Sequence, residues 1–175
     1  MPTLITDLPT IYERARAEED ENIRFRQFVK YRLRWSDRKL DAVVLEIVRE
    51  VTAGIDCTQC GHCCRALEIS LNEDDLSRLA AHLGQSLDAV RAEYAAPGTQ
   101  CAQAFAHSPC ALQHENRCTV YPARPRDCRE YPHLDKGEFR ARMWQILSHA
   151  EDCPIVFNTL ALMKQRLHAE KTSIA

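Results

Sequence analysis

Nine cysteines dominate the chemistry this chain of 175 residues can do. Four of them crowd into one octapeptide, Cys57-Thr58-Gln59-Cys60-Gly61-His62-Cys63-Cys64. The rest follow as Cys101, Cys110, then Cys118-Thr-Val-Tyr-Pro-Ala-Arg-Pro-Arg-Asp-Cys128, and finally Cys153-Pro154. Two residues between cysteines let a tight turn aim both sulfurs at one ion while backbone amides point at the sulfurs. Gly61 lets the backbone pass close to them. The spacing predicts a metal site. Four thiolates around Zn²⁺ carry a charge of −2, and so do four around an oxidised 4Fe–4S core, so charge leaves zinc and iron both open. Arg65, Arg117, Arg124, Arg126 and Arg129 flank the cysteines and can offset such charge by hydrogen bonding.

Other thiol chemistries fit less well. The start, MPTLITDLPT, has no basic or apolar leader, which predicts a cytoplasmic chain whose thiols stay reduced. An odd cysteine count also fits a closed disulfide framework poorly. Buried inert thiols account for one or two cysteines, not a cluster. Cys57 and Cys60 lack the preceding strand and βαβ setting of a thioredoxin-like pair. His62 lies inside the motif, as an alternative ligand or an outer neighbour. His114-Glu115 begins like HExxH, but position 118 is Cys, and the protease reading fails. Five dispersed glycines form neither GxGxxG nor a P-loop, so no dinucleotide or phosphate cradle is expected. The formal charge of −2 argues against bulk electrostatic capture of nucleic acid. The longest aliphatic run, Ala42–Leu45, is far too short for a membrane span.

The elements that must position these cysteines are mostly helical. Ser36 reads as the cap of a helix to Ala53, with Leu40, Val43, Val44, Ile47, Val48 and Val51 on one face and Gly54 at its end. Residues 7–35 suggest one or two more helices. Leu67, Ile69 and Leu71 alternate as a short strand. Asn72 and Ser86 cap helices over Glu73–Leu83 and Leu87–Tyr94, the first closed by Gly84. From Cys101 to Gly137 periodicity vanishes among four prolines, and such a long loop needs an outside constraint, here the metal. Helical patterning returns after Gly137, and Pro154 opens a last helix. The expected fold is mainly α, with an irregular cysteine-rich metal-binding region and at most a small antiparallel β element. Residues 1–53 are read as charged N-terminal helices and residues 54–175 as the cysteine-cluster region, packed together as one domain.

CTQCGHCC, CTVYPARPRDCREYP and the later CP together resemble the YkgJ-like cysteine-cluster family, a zinc- or iron-chelating domain with eight characteristic cysteines. The resemblance covers about residues 54–160. Carried over by position, it implies Cys57, Cys60, Cys63, Cys64, Cys110, Cys118, Cys128 and Cys153 as ligands and leaves Cys101 outside. The implied function is chelation of zinc or iron, an iron–sulfur cluster included, in a structural or electron-transfer role with a protein partner supplying the purpose. The family also includes chains similar to flagellin lysine N-methylases. A methylase-like enzyme is therefore the alternative, and a redox-sensing thiol protein the second. The short length and missing cofactor loops favour a binding module over an enzyme.

Overall fold

The computed structural model describes residues 3–173, and side chains through residue 167. It is mainly α: ten α-helices and two small antiparallel two-stranded sheets among the described residues. By contact the chain divides into two compact units, Met1–Asp56 with Pro132–Ala175, and Cys57–Tyr131. Among the described residues no helix is long and apolar enough to cross a membrane.

The first unit is all helical: α1 (Leu8–Ala17), α2 (Glu19–Tyr31), α3 (Asp37–Gly54) and, after the other unit, α9 (Phe139–Leu147) and α10 (Pro154–Ser173). Ser36 caps α3, its hydroxyl accepting from Lys39 N. The helix runs one residue past the expected stop, through Gly54, where a Cβ would stand 2.6 Å from Leu4 Cδ1. Glycine serves close approach there, not a left-handed turn. Leu40, Val44, Ile47, Val48 and Val51 are buried, and α10 packs on α3 and α1 while α9 packs on α2 and α3. Residues 153–160 are all buried, so α10 begins as an apolar central helix. Its one buried amide, Asn158, is satisfied by Ile5 N, Ile5 O and Pro154 O. The N-terminus of α9 lacks a cap of its own. Asp41 on α3 supplies it, accepting from Glu138 N and Phe139 N at 2.9 Å each.

The second unit holds α4 (Cys57–Cys60), α5 (Cys63–Ala66), α6 (Glu73–Leu83), α7 (Leu87–Tyr94), β1 (Ala95–Ala96), β2 (Ala104–Phe105), β3 (Gln113–His114), β4 (Arg117–Cys118) and α8 (Arg126–Glu130). β1 pairs with β2 and β3 with β4. Asn72 and Asp75 form a full capping box, and Gly84 ends α6 in the left-handed region at φ 66°. Ser86 caps α7. The expected strand over 67–71 is reduced to a single bridge, Ser70 opposite Ala104. Leu71, Leu76, Leu79, Val90 and Tyr94 form a core with Leu112, Val120 and Ala123. The aperiodic stretch thus has apolar anchors of its own, each buried Leu or Val contributing about 1.5–3 kcal/mol.

Candidate metal centre

Seven of the eight expected ligands belong to the second unit; Cys153, buried at the turn into α10, belongs to the first. Cys57 and Cys60 begin and end the one-turn helix α4. Cys63 and Cys64 open α5, Cys118 ends β4, and Cys128 lies mid-way along α8. No disulfide joins any of the nine.

The octapeptide is tied to Cys110 through the backbone: Cys110 N donates to Cys64 O at 2.8 Å. Gln113 Nε2 donates to Gly61 O at 2.9 Å. Arg65 binds both sides at once, Nη2 to Cys60 O at 3.0 Å and Nη1 to Asn116 Oδ1 at 2.5 Å. Ser108 Oγ closes the same contact on Arg65 O at 3.2 Å. Asn116 and Glu115 are both at positive φ, 64° and 47°, and form the two-residue turn of the β3–β4 hairpin. The residues that began like a protease motif are therefore a hairpin turn held by Arg65.

Asp75 positions the helix carrying Cys128. Its carboxylate, 2% exposed, accepts from Arg126 N at 2.8 Å at the start of α8 and pairs with Arg78. Asp127 accepts from Ser70 Oγ at 2.5 Å, a tie across the unit instead of the surface ion pair its arginine neighbours suggest. Asp75, Gln113 and Asn116 carry no sequence signal for this work beyond Asp75's place in a capping box.

The thiols interact electrically. A hydrogen bond with Cys63 holds the Cys64 thiol down to about 6 against its burial, with the Arg65 and Arg124 guanidiniums assisting. Burial pushes the Cys110 and Cys118 thiols up, and the Cys64 charge adds to both shifts. Burial pushes Cys128 up to about 12, with Cys64, Cys110 and Cys118 all contributing. One ionised thiol beside three reluctant ones is an electrostatic conflict that a bound cation relieves.

The donor chemistry fits a soft or borderline cation: thiols of mutually perturbed acidity, fixed by backbone, with cationic side chains nearby. Among the described residues no three Cys, His, Asp or Glu side chains stand grouped as they would around an ion. Cys101 is placed differently. Its Sγ donates to Gln103 O at 3.1 Å, in a turn whose Thr99 and Gln100 amides are gathered by the Glu68 carboxylate.

Gly61 is the tightest backbone position of the centre. It sits at φ 56°, and a Cβ would collide with Gln113 Nε2 and stand 3.0 Å from Asn116 O. Gly61→Ala is expected to destabilise this unit by about 1–3 kcal/mol and to lower metal content, which thermal unfolding and metal analysis check together.

A family model, CxxCxxCC, described as "Putative zinc- or iron-chelating domain", matches residues 56–154, more than half of the chain. No curated protein and no solved structure matches.

Proposed function

Because the chain belongs to the CxxCxxCC family of zinc- or iron-chelating domains, we propose that it holds its metal through Cys57, Cys60, Cys63, Cys64, Cys110, Cys118, Cys128 and Cys153. The metal's role is structural or electron-transferring rather than hydrolytic. The observation that supports this reading is the Cys64–Cys110 backbone bond, with Arg65 and Gln113 beside it, which ties the octapeptide to the segment that carries Cys110. Arg65, donating to Cys60 O, restrains the chain around the octapeptide's thiols. Bound zinc would cross-link these segments; bound iron with sulfide would also supply a redox centre.

The test is anaerobic purification of the full chain followed by metal analysis and an absorption spectrum. Zinc or iron at a fixed ratio to protein is expected, with charge-transfer absorption in the visible range if iron–sulfur is present. A chain that holds neither, after purification and after reconstitution, would overturn the reading.

Loading is also expected to depend on pH. In the metal-free chain the hydrogen bond with Cys63 holds the Cys64 thiol down, whereas burial pushes the Cys110, Cys118 and Cys128 thiols up and favours their protonated forms. A metal must displace those protons, so apparent affinity rises with pH. Zinc titration in weak buffer with a pH indicator should show acid release; release that is absent at neutral pH would remove these three thiols from the ligand set.

A further inference from the structure

The chain-wide charge of −2 averages over unlike regions. Residues 24–39 read RFRQFVKYRLRWSDRK, seven basic side chains against the single acid Asp37, a local charge of +6. The segment is the second half of α2, the turn over 32–36 and the first turn of α3, all in the first unit. Its one acid is engaged from within: Arg140 Nε donates to Asp37 Oδ1 at 2.6 Å. The same guanidinium donates to Trp35 O at 2.8 Å and to Val29 O, which pins the turn in one shape.

Arg24, Lys30, Arg32, Arg34, Arg38 and Lys39 all remain exposed. Among the described residues none of the six forms an ion pair. On the same helix Asp20, one turn before Arg24, marks the edge of the patch. Two rings punctuate the cations. Tyr31 is 67% exposed, with Lys30 Nζ 5.7 Å from its ring centre, and Lys39 Nζ stands 4.0 Å from the Trp35 ring centre. Cations without an acid partner, beside an exposed ring that offers a stacking face, are what an unpaired nucleotide strand requires. An anionic bilayer would need a free apolar face as well, but the apolar face of α2, Phe25 and Val29, is buried.

We propose that this turn binds single-stranded nucleic acid, with phosphates on Arg24, Arg32, Arg34 and Arg38 and a base stacked on the exposed Tyr31 ring. The site is independent of the metal reading.

Fluorescence anisotropy of the full chain with a labelled mixed-sequence single-stranded RNA of about 15 nucleotides tests it. Binding is expected, with log K falling against log salt with a slope of about −3 for about four phosphate contacts. Arg32→Ala/Arg34→Ala/Arg38→Ala should flatten that slope by about 2 and weaken binding at least about tenfold. Tyr31→Ala should weaken binding about fivefold or more with the slope unchanged. Circular dichroism verifies that both variants fold. Chelator-treated chain should bind as before, whether or not the metal reading holds. Absence of binding at low salt would overturn the proposal, as would variants that bind like the parent. So would capture by phosphatidylserine vesicles in place of the RNA, or loss of RNA binding on chelation.

Discussion

Cys60→Ser is expected to lose most of its bound metal, while Cys101→Ser keeps it. The two side chains are both half-buried thiols, so exposure does not separate them. Their settings do. Cys60 ends α4 with its carbonyl held by Arg65, in the segment where a hydrogen bond with Cys63 holds the Cys64 thiol down. Cys101 instead donates to a backbone carbonyl in a turn organised by Glu68. Removing an outer-sphere hydrogen bond from a metal site costs about 10–100-fold in affinity. Removing a ligand opens a coordination position and should cost more. Serine at position 101 can repeat the bond to Gln103 O, so Cys101→Ser should cost about 1 kcal/mol or less. Metal-to-protein ratios on both purified variants decide the matter. An emptied Cys101→Ser beside a full Cys60→Ser would overturn the ligand assignment.

Local helix signals were readable because they act within a few residues. Ser36, Asn72 and Ser86 each receive the backbone N–H three residues on, and Gly84 occupies the left-handed position that its lack of a Cβ permits. The weaker readings failed for identifiable reasons. Leu67, Ile69 and Leu71 alternate like a strand, but the partner strand is only Ala104–Phe105, so one bridge forms. Five residues of α8 between Pro125 and Pro132 are too few to show a period. The hairpin turn Glu115-Asn116 lacks the usual glycine. The return of α9 and α10 to the N-terminal helices rests on long-range contacts, such as Asp41 at the start of α9, that no spacing announces.

The candidate centre was legible in its donors and not in its supports. Cysteine type and spacing name the atoms that can hold a metal, because ligand chemistry is local. Asp75, Gln113 and Asn116 act across 40 or more residues on groups that any polar side chain of suitable length could reach, as their bonds to Arg126 N, Gly61 O and Arg65 show. The same distinction bears on which part of the unit depends on metal. Proline-rich sequence pointed to residues 101–137 as the stretch needing a constraint. Leu112, Val120 and Ala123 in that stretch are nevertheless buried in the core with Leu76, Leu79 and Val90.

Chelation is therefore expected to release residues 57–70 while Leu76–Tyr94 and the Leu112–Ala123 anchors stay protected. From Asp56 to Ser70 the only buried residue is Gly61, so the octapeptide has no apolar side chain to hold it down. Polar ties hold it instead, among them hydrogen bonds from Arg65, Gln113, Ser108 and Cys110, with Glu68 and Ser70 tied to Thr99, Gln100 and Asp127 further on. A net contribution of about 1 kcal/mol from each barely offsets the backbone entropy of about 1–2 kcal/mol for every residue they order. The helix core does not share this weakness, since its packing is apolar and its caps are complete. Amide exchange on the loaded and chelator-treated chain reads both regions in one experiment. Protection factors should fall by about tenfold or more over 57–70, a change of about 1.4 kcal/mol in local opening. Equal protection of that segment in both states would show that its order comes from the protein alone.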